Sequence, residues 1–367
     1  MGLPRHKKMY YELLRIVYHL RRGLSRLRTP SVRLDGQGRV EFYYTTWQSA
    51  AANVSAEFVK LPNGFCEIRR GDRSTRIFEN IVKIDDPLIV KLVRVKPFVH
   101  KQLSAHGIPV APFLEFTLDE VDAAIEFLDL QSAPCVVKPA MGDAAGNGVT
   151  TNVQSRRELV RAAINASLFG RELMIERQVQ GIEYRLLYLD GKLLDATRRR
   201  PPCVVGNGRS TIAQLIDAEN KRRNQLVGSA SLTRIQMDSD CRVTLRNAGM
   251  SLNSVPRAGT EVTVKTTVND NSAKDNVSVR NLISDALTQE VARATAVLGI
   301  RLAGIDVITK DPGVSLKDSG GAIIEVNSSP GLHHHYNVGN LQETTPVAVP
   351  ILRCLLGMEN GITKERR

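Results

Sequence analysis

The stretch Gly320-Gly321-Ala322-Ile323-Ile324-Glu325-Val326-Asn327-Ser328-Ser329-Pro330-Gly331 constrains this chain more than any other. A small apolar run delivers a carboxylate and an amide, two residues apart, to the end of a buried strand. Side chains two apart on a strand share a face, so Glu325 and Asn327 offer oxygen ligands to one place. Oxygen donors without Cys or paired His suit Mg2+, which keeps several waters and is completed by substrate phosphates. A nucleotide metal site is one reading. A strand running into an ordinary polar turn is the other, and matching parts elsewhere in the chain weigh between them.

With 42% hydrophobic residues, the 367-residue chain can bury a substantial core in one large or two to three smaller domains. No run approaches the roughly 18 uninterrupted apolar residues of a membrane span, and the N-terminus lacks an apolar signal region. A cytoplasmic location is therefore expected. Cys66, Cys135, Cys203, Cys241 and Cys354 are scattered and never in a CxxC spacing, which indicates neither a disulfide framework nor a zinc site. The formal charge is +12, and +7 of it lies between Met1 and Pro30, where eight Lys and Arg face Glu12 alone. In that segment Leu13, Val17, Leu20, Leu24 and Leu27 recur at spacings of three and four, the mark of an amphipathic helix with a basic outer face. Docking on the protein or a second subunit, lying on an anionic membrane and binding nucleic acid compete there. Packing is favoured, since a charged outer face is usually a solvated one; nucleic acid is not expected, and a homo-oligomer is compatible with the sequence. His6 stands where Ser or Thr would favour myristoylation.

Residues 35–38 read as a turn and Val40 to Tyr44 as a strand with Val40, Phe42 and Tyr44 on one face. Arg69 to Arg76 reads as a solvated loop. Lys96 precedes a short helix from Pro97 to Gly107, and Thr117 caps another that runs to about Leu130. Cys135 to Pro139 is a short buried strand with Lys138 near its end. Its ammonium is costly to bury without an anion, unless the stem packs and the head reaches water. The following glycines, Gly142, Gly146 and Gly148, let backbone N–H groups approach phosphate oxygens, but the loop matches no phosphate-binding fingerprint and fits a hairpin turn equally. A helix from Ser155 to Phe169 leads to a strand from Leu173 to Glu176, and Glu176 and Glu183 flank a turn between two strands. The polar region Gly206 to Asn276 reads as an inserted subdomain or lid. A structural helix, Val279 to Leu298, leads into the strand bearing Asp306.

Lys96, the helix ending Gly107-Ile108-Pro109-Val110, Val137-Lys138-Pro139, the Gly-rich loop, Ile175-Glu176-Arg177 with Glu183, Ala303-Gly304-Ile305-Asp306 and Glu325-Val326-Asn327 stand in the order of the ATP-grasp superfamily. From about Val95 to Leu332 the chain resembles that superfamily, in particular the ATP-grasp part of cyanophycin synthetase. Tyr184-Arg185-Leu186-Leu187, Val204-Val205-Gly206-Asn207-Gly208 and Leu232-Thr233-Arg234-Ile235 carry the likeness further.

The resemblance implies an α/β (α+β) fold in which two α+β lobes sandwich ATP. Residues 1–90 would form an N-terminal region, 91–180 the small lobe, 181–356 the large lobe with an insert at about 206–276, and 357–367 a tail. Lys96 and Lys138 would hold the phosphates, and the loop with Gly142, Gly146 and Gly148 would close over them. Glu176 to Val179 would form the adenine hinge, with Glu183 on the ribose hydroxyls. Asp306, Glu325 and Asn327 would hold two Mg2+ ions, with Mn2+ as the alternative. Such enzymes convert a carboxylate into an acyl phosphate that an amine attacks, giving an amide and ADP; the substrates would be small amino acids or peptides. Arg185, Glu325 and Asn327 are the catalytic candidates. Arg185 could clamp a phosphate or carboxylate with two bonds or be a surface strand arginine, and the Ser328 to Gly331 turn could steady a tetrahedral intermediate.

Cyanophycin synthetases continue into a Mur-ligase-like domain, whereas this sequence ends shortly after Leu356, so two alternating additions are not expected. The stretch ahead of Lys96 is too short and too different to carry over an acceptor site, which leaves the substrate open. Arg198-Arg199-Arg200 reads either as a donor-site lining that favours acidic substrates or as a solvated strand end. His333, His334 and His335 could meet the substrate or act as a base; on an extended strand, alternate sides and solvent exposure are expected. A phosphotransferase acting on a non-carboxylate acceptor and a non-catalytic protein with a vestigial nucleotide site are the rival functions.

Overall fold

The computed structural model describes residues 9–17, 19–20, 36–142, 146–224, 234–268 and 271–358. Gly36–Asn53 is an α-helix, which corrects the turn at 35–38 and the strand at Val40 to Tyr44. Aromatic residues favour strands only weakly, and burial overrides them. Tyr43, Trp47, Ala50, Ala51 and Val54 recur at helical spacing, and none is more than 4% exposed. Their face packs against the helix Ala348–Leu355. A meander follows, made of β1 (Glu57–Lys60), β2 (Phe65–Arg70) and β3 (Arg73–Phe78). Arg69 to Arg76 is therefore a tight hairpin rather than a loop, with Arg70 paired to Arg73 across Gly71-Asp72. Its arginines hid the alternation: Arg69 and Arg76 lie outside and both pair with Glu67, while Ile68 and Ile77 point into the core. Residues 9–17 and 19–20 are helical; Leu13 and Leu20 are exposed, Val17 is half-buried, and Tyr11 packs on the small-lobe core. Leu24 and Leu27 lie outside the described residues.

The small lobe is an antiparallel sheet of β4 (Phe113–Phe116), β5 (Cys135–Pro139), β6 (Thr150–Val153) and β7 (Leu173–Arg177), in the order β4-β7-β5-β6. The helices Val121–Asp129 and Arg156–Ser167 cover it. A Thr117–Glu120 capping box precedes the first, and Ser155 caps the second. The large lobe contributes β8 (Ile182–Leu189) and β9 (Lys192–Arg199). An insert then carries β10 (Cys203–Val205) and β11 (Glu261–Thr263), with helices Ile212–Asn224 and Ser239–Asn247 around a small core of its own. The chain returns as β12 (Asn276–Ser278), β13 (Leu302–Thr309) and β14 (Ala322–Ser328), giving a five-stranded antiparallel sheet in the order β12-β9-β8-β13-β14. The helix expected from Val279 starts at Asp285, capped by Ser284, after a 3-10 turn at Arg280–Leu282.

Both faces of the large sheet are covered, which is why β8 reads as almost unbroken apolar sequence. Tyr184, Leu186 and Tyr188 pack under the helices Lys96–Ala105 and Asp285–Leu298. Leu187 and Leu189, on the other face, meet the helices Gly36–Asn53 and Ala348–Leu355. A bulge sets the direction of the last strand: Asp306 pairs with Glu325, but Val307 pairs with Ile323, so Ile324 is an extra residue. The extra residue lets Ile323 and Val326 both enter the core while Glu325 and Asn327 point the other way. Among the described residues, no helix is long and apolar enough to cross a membrane.

Ile351 is fully buried in the core that also holds Trp47, the only tryptophan. Ile351→Ala should cost about 2–5 kcal/mol, read from urea unfolding followed by Trp47 fluorescence.

Candidate functional site

A cleft of about 860 Å3 opens between the two sheets. Lys96, Lys138, Glu176 and Val179 line it from the small-lobe side, and Glu183, Arg185, Asp306, Glu325 and Asn327 from the large sheet. Lys96 opens its helix with its N–H bonded to the Ala140 carbonyl. Its ammonium donates to the Gly142 carbonyl at 3.0 Å and lies 3.2 Å from Glu325 Oε1. Lys138 Nζ lies 2.6 Å from Glu176 Oε1 and 3.5 Å from the carbonyl of the bulged Ile324. Gly146 lines the cleft, Gly142 lines an adjoining recess of about 200 Å3, and Gly148 is buried behind the loop. Gly148 has φ +78°, and a Cβ there would come within 2.6 Å of the Phe169 ring. Residues 143–145 lie outside the described set. Gly181 is needed where the segment between β7 and β8 passes the large sheet: a Cβ would stand 2.5 Å from the Thr309 backbone.

Both sides of the Arg185 guanidinium fork donate to Asp306, its partner across β8 and β13. Asn327 Nδ2 adds a bond to Asp306 Oδ2 at 3.2 Å. Arg199 Nη1 donates to Glu183 Oε1 at 2.8 Å. Burial, together with the nearby Asp306 and Glu325, outweighs Arg199 and pushes the Glu183 carboxyl up to about 7. For Glu176 burial is outweighed: Lys138 and His100 hold its carboxyl down at about 2.

The three histidines depart from the extended, solvated arrangement expected of them. His333–Tyr336 is a short helix in which His333 and His335 are buried. His333 and His334 line the cleft, whereas His335 Nδ1 is 2.8 Å from the buried Asp195. Burial, with Arg39, Arg185 and Arg199 nearby, lowers His333 to about 3, and burial beside His333 lowers His334 as well. Both imidazoles are therefore neutral.

Among the described residues, no group of three or more His, Cys, Asp or Glu is placed to hold a metal ion. The acidic pair is Asp306 and Glu325, in register on adjacent strands with Asn327 beside them. Two carboxylates and an amide form an all-oxygen set of the kind Mg2+ takes.

No family model matches the chain. Over 249 residues it is 34% identical to the cyanophycin synthetases of Trichormus variabilis and of a Nostoc species, which covers 67% of this chain and 27% of each of theirs. Over 266 residues it is 29% identical to the glutathione biosynthesis bifunctional protein GshAB of Enterococcus faecalis, covering 70% of this chain and 34% of that protein. It superposes on a bifunctional glutathione synthetase from Pasteurella multocida with a TM-score of 0.53 at 20% identity, over 86% of this chain and 43% of that one. The chain is an ATP-grasp protein. It spans about a quarter of the length of the cyanophycin synthetases it matches.

Several residues that line the cleft of this ATP-grasp protein, or support one that does, were not legible in its sequence. His100 Nε2 lies 3.2 Å from Glu176 Oε2, and its position one helical turn after Lys96 is the available signal. Arg39 and Asn80 line the cleft from the N-terminal region, and Thr266 and Thr267 from the insert. Arg198, Arg199 and Arg200, which the sequence offered either as a site lining or as a solvated strand end, all line it.

Because Glu183 keeps a proton up to about 7 when folded, against 4.5 ordinarily, the folded chain binds more protons than the unfolded one in that window. Stability from this group therefore falls as pH rises from 4.5 to 7. Urea titrations at about pH 5 and pH 8 should show a smaller difference for Glu183→Gln than for the wild type. Glu176 has the opposite sign: its contribution is present above 4.5 and is lost as pH falls toward 2.

Proposed function

We propose that this protein is an ATP-dependent carboxylate–amine ligase, forming an amide or peptide bond on an amino acid or peptide through an acyl phosphate, with ADP as product. One observation carries the reading: Lys96 and Lys138, from separate segments, line the same cleft as Asp306, Glu325 and Asn327. The names of its relatives, synthetases of cyanophycin and glutathione, support it.

In this reading the adenine lies along residues 176–179, and Glu183 meets the ribose. Lys96 and Lys138, each resting on a carboxylate, turn to the phosphates when these arrive. Asp306, Glu325 and Asn327 would hold Mg2+, which neutralises charge on the phosphoryl oxygens. A substrate carboxylate oxygen attacks the γ-phosphorus, the bond to the bridging oxygen breaks, and ADP leaves. The amine then adds to the acyl carbon. Arg185, oriented by Asp306, and backbone N–H groups of the 328–331 turn face the oxyanion. The carbon–oxygen bond to phosphate breaks, leaving the amide and inorganic phosphate. His333 and His334 can accept hydrogen bonds from the amine but are too weakly basic to retain its proton, which departs with phosphate or solvent.

With ATP, Mg2+, hydroxylamine and a panel of amino acids and short peptides, the wild type should yield both ADP and hydroxamate. Glu325→Ala should abolish both products with an unchanged circular dichroism spectrum, and Lys138→Met should lower kcat by about 10²–10³-fold. ADP without hydroxamate would point to phosphoryl transfer to another acceptor. Neither product across the panel would sink the ligase reading.

A further inference from the structure

We propose that Arg39 binds a carboxylate of the substrate, and that the N-terminal region thereby selects amino acids or peptides that keep a free carboxylate besides the group that reacts. The inference rests on the ligase reading for its chemistry and on the geometry of Arg39 for its location.

Arg39 and Asn80 are the residues that the helix Gly36–Asn53 and the segment after β3 send into the cleft. The guanidinium is held from three directions. Arg39 Nε donates to Glu79 Oε2 at 2.5 Å, Nη2 donates to Asn80 Oδ1 at 2.8 Å, and the group lies 5.3 Å over the Tyr43 ring. The two bonds use Nε and Nη2 and leave Nη1 without a hydrogen bond among the described residues. A guanidinium carries five N–H donors in a planar fork that matches a carboxylate, and the donors of Nη1 remain for one.

The supports of this arginine are themselves constrained. Glu79, at φ +51°, is one of the few non-glycine residues in the left-handed region, and the Trp47 indole holds its carbonyl at 2.8 Å. Asn80 Nδ2 donates to the carbonyl of Ser329, which also has φ +51°. Left-handed backbone at non-glycine residues is costly and persists where surrounding structure demands it. Here it joins the N-terminal region to the turn that follows Asn327. Asn80 lines both the main cleft and the adjoining recess, where Lys96, Arg185, Glu325 and Gly331 also stand, so Arg39 enters the cleft beside the end of β14 and the turn that follows it.

Charge points the same way. Eight Lys and Arg residues line the cleft against four Asp and Glu. Lys96 and Lys138 answer to the triphosphate, which leaves positive charge beyond it for a second anion. Arg39 is also only partly exposed, at 36% of its side chain, so its fork faces a site less screened than open water.

Isothermal titration of the full chain, saturated with a non-hydrolysable ATP analogue and Mg2+, tests the proposal. The probes are L-alanine, L-aspartate and glycylglycine, each beside the analogue whose C-terminal carboxylate is a carboxamide. At least one acid should bind about tenfold or more tightly than its amide, the scale of a charge-assisted bond. Arg39→Gln should bind acid and amide alike, with its affinity for the ATP analogue within about twofold of wild type. Arg39→Lys, which keeps the charge and loses the fork, should fall between them, and it serves if the Gln variant does not fold. An acid preference that survives in both variants would overturn the assignment, as would its absence from the wild type. Hydroxamate formation is scored separately: an Arg39-dependent acid preference without hydroxamate would keep this site and remove the ligase reading.

Discussion

Arg185 and Asp306 face each other across β8 and β13, and both are almost wholly withdrawn from water. Desolvating two such ions costs several kcal/mol each, and an apolar pair of similar size would usually be at least as stable. Stability alone therefore does not account for the pair. Lys138–Glu176 repeats the arrangement, and Arg199 reaches the part-buried Glu183 beside it, so two buried ion pairs and a third acid–base contact converge on one cleft. Around them the apolar strands do what those pairs require. Tyr184, Leu186, Ile305 and Val307 pack on the opposite face of the same strands and fix where Arg185 and Asp306 point. The charges stand ready for a ligand that carries both signs, as a metal-bound triphosphate does.

The N-terminal region enters this design from behind. The helix Gly36–Asn53 covers the rear of the large sheet with Trp47 and Ala51, and its first half reaches the cleft through Arg39. Tyr43 belongs to both roles: it is buried in the core, and its hydroxyl lies 3.2 Å from His333 Nδ1. With the Asn80–Ser329 bond, this makes the wall beyond β14 part of the packed core rather than a free loop. A wall built this way is pre-organised, so little ordering entropy opposes substrate binding.

The charged residues of the cleft were legible because each interrupts an apolar run: Lys138 in β5, Glu176 in β7, and Asp306 and Glu325 in β13 and β14. An ordered set of such interruptions survives without any knowledge of distances. The N-terminal helix was not legible, because Phe42, Tyr43 and Tyr44 satisfy a strand pattern locally and only Trp47, Ala50 and Ala51, several residues on, continue the helical one. The bulge at Ile324 also leaves no trace, since an apolar residue is acceptable on either side of it. Neither do the histidines: His335 is buried because Asp195 meets it across 140 positions, a separation at which sequence pattern carries no information.

The insert raises a mechanical question that the same reasoning answers. It leaves the large sheet after β9 and returns at β12, yet its firmest attachment is to the small lobe. Asp240, 1% exposed, accepts five hydrogen bonds: from Thr151 N and Oγ1 in β6, and from Thr266 N, Thr267 N and Thr267 Oγ1 beside β11. A buried carboxylate so fully satisfied is costly to disengage. Asn152 Nδ2 bonds Thr266 Oγ1 at 2.7 Å and reinforces the joint. Thr266 and Thr267 also line the cleft, so any opening between the lobes that keeps Asp240 bonded must withdraw this wall together with the Gly-rich loop next to β6.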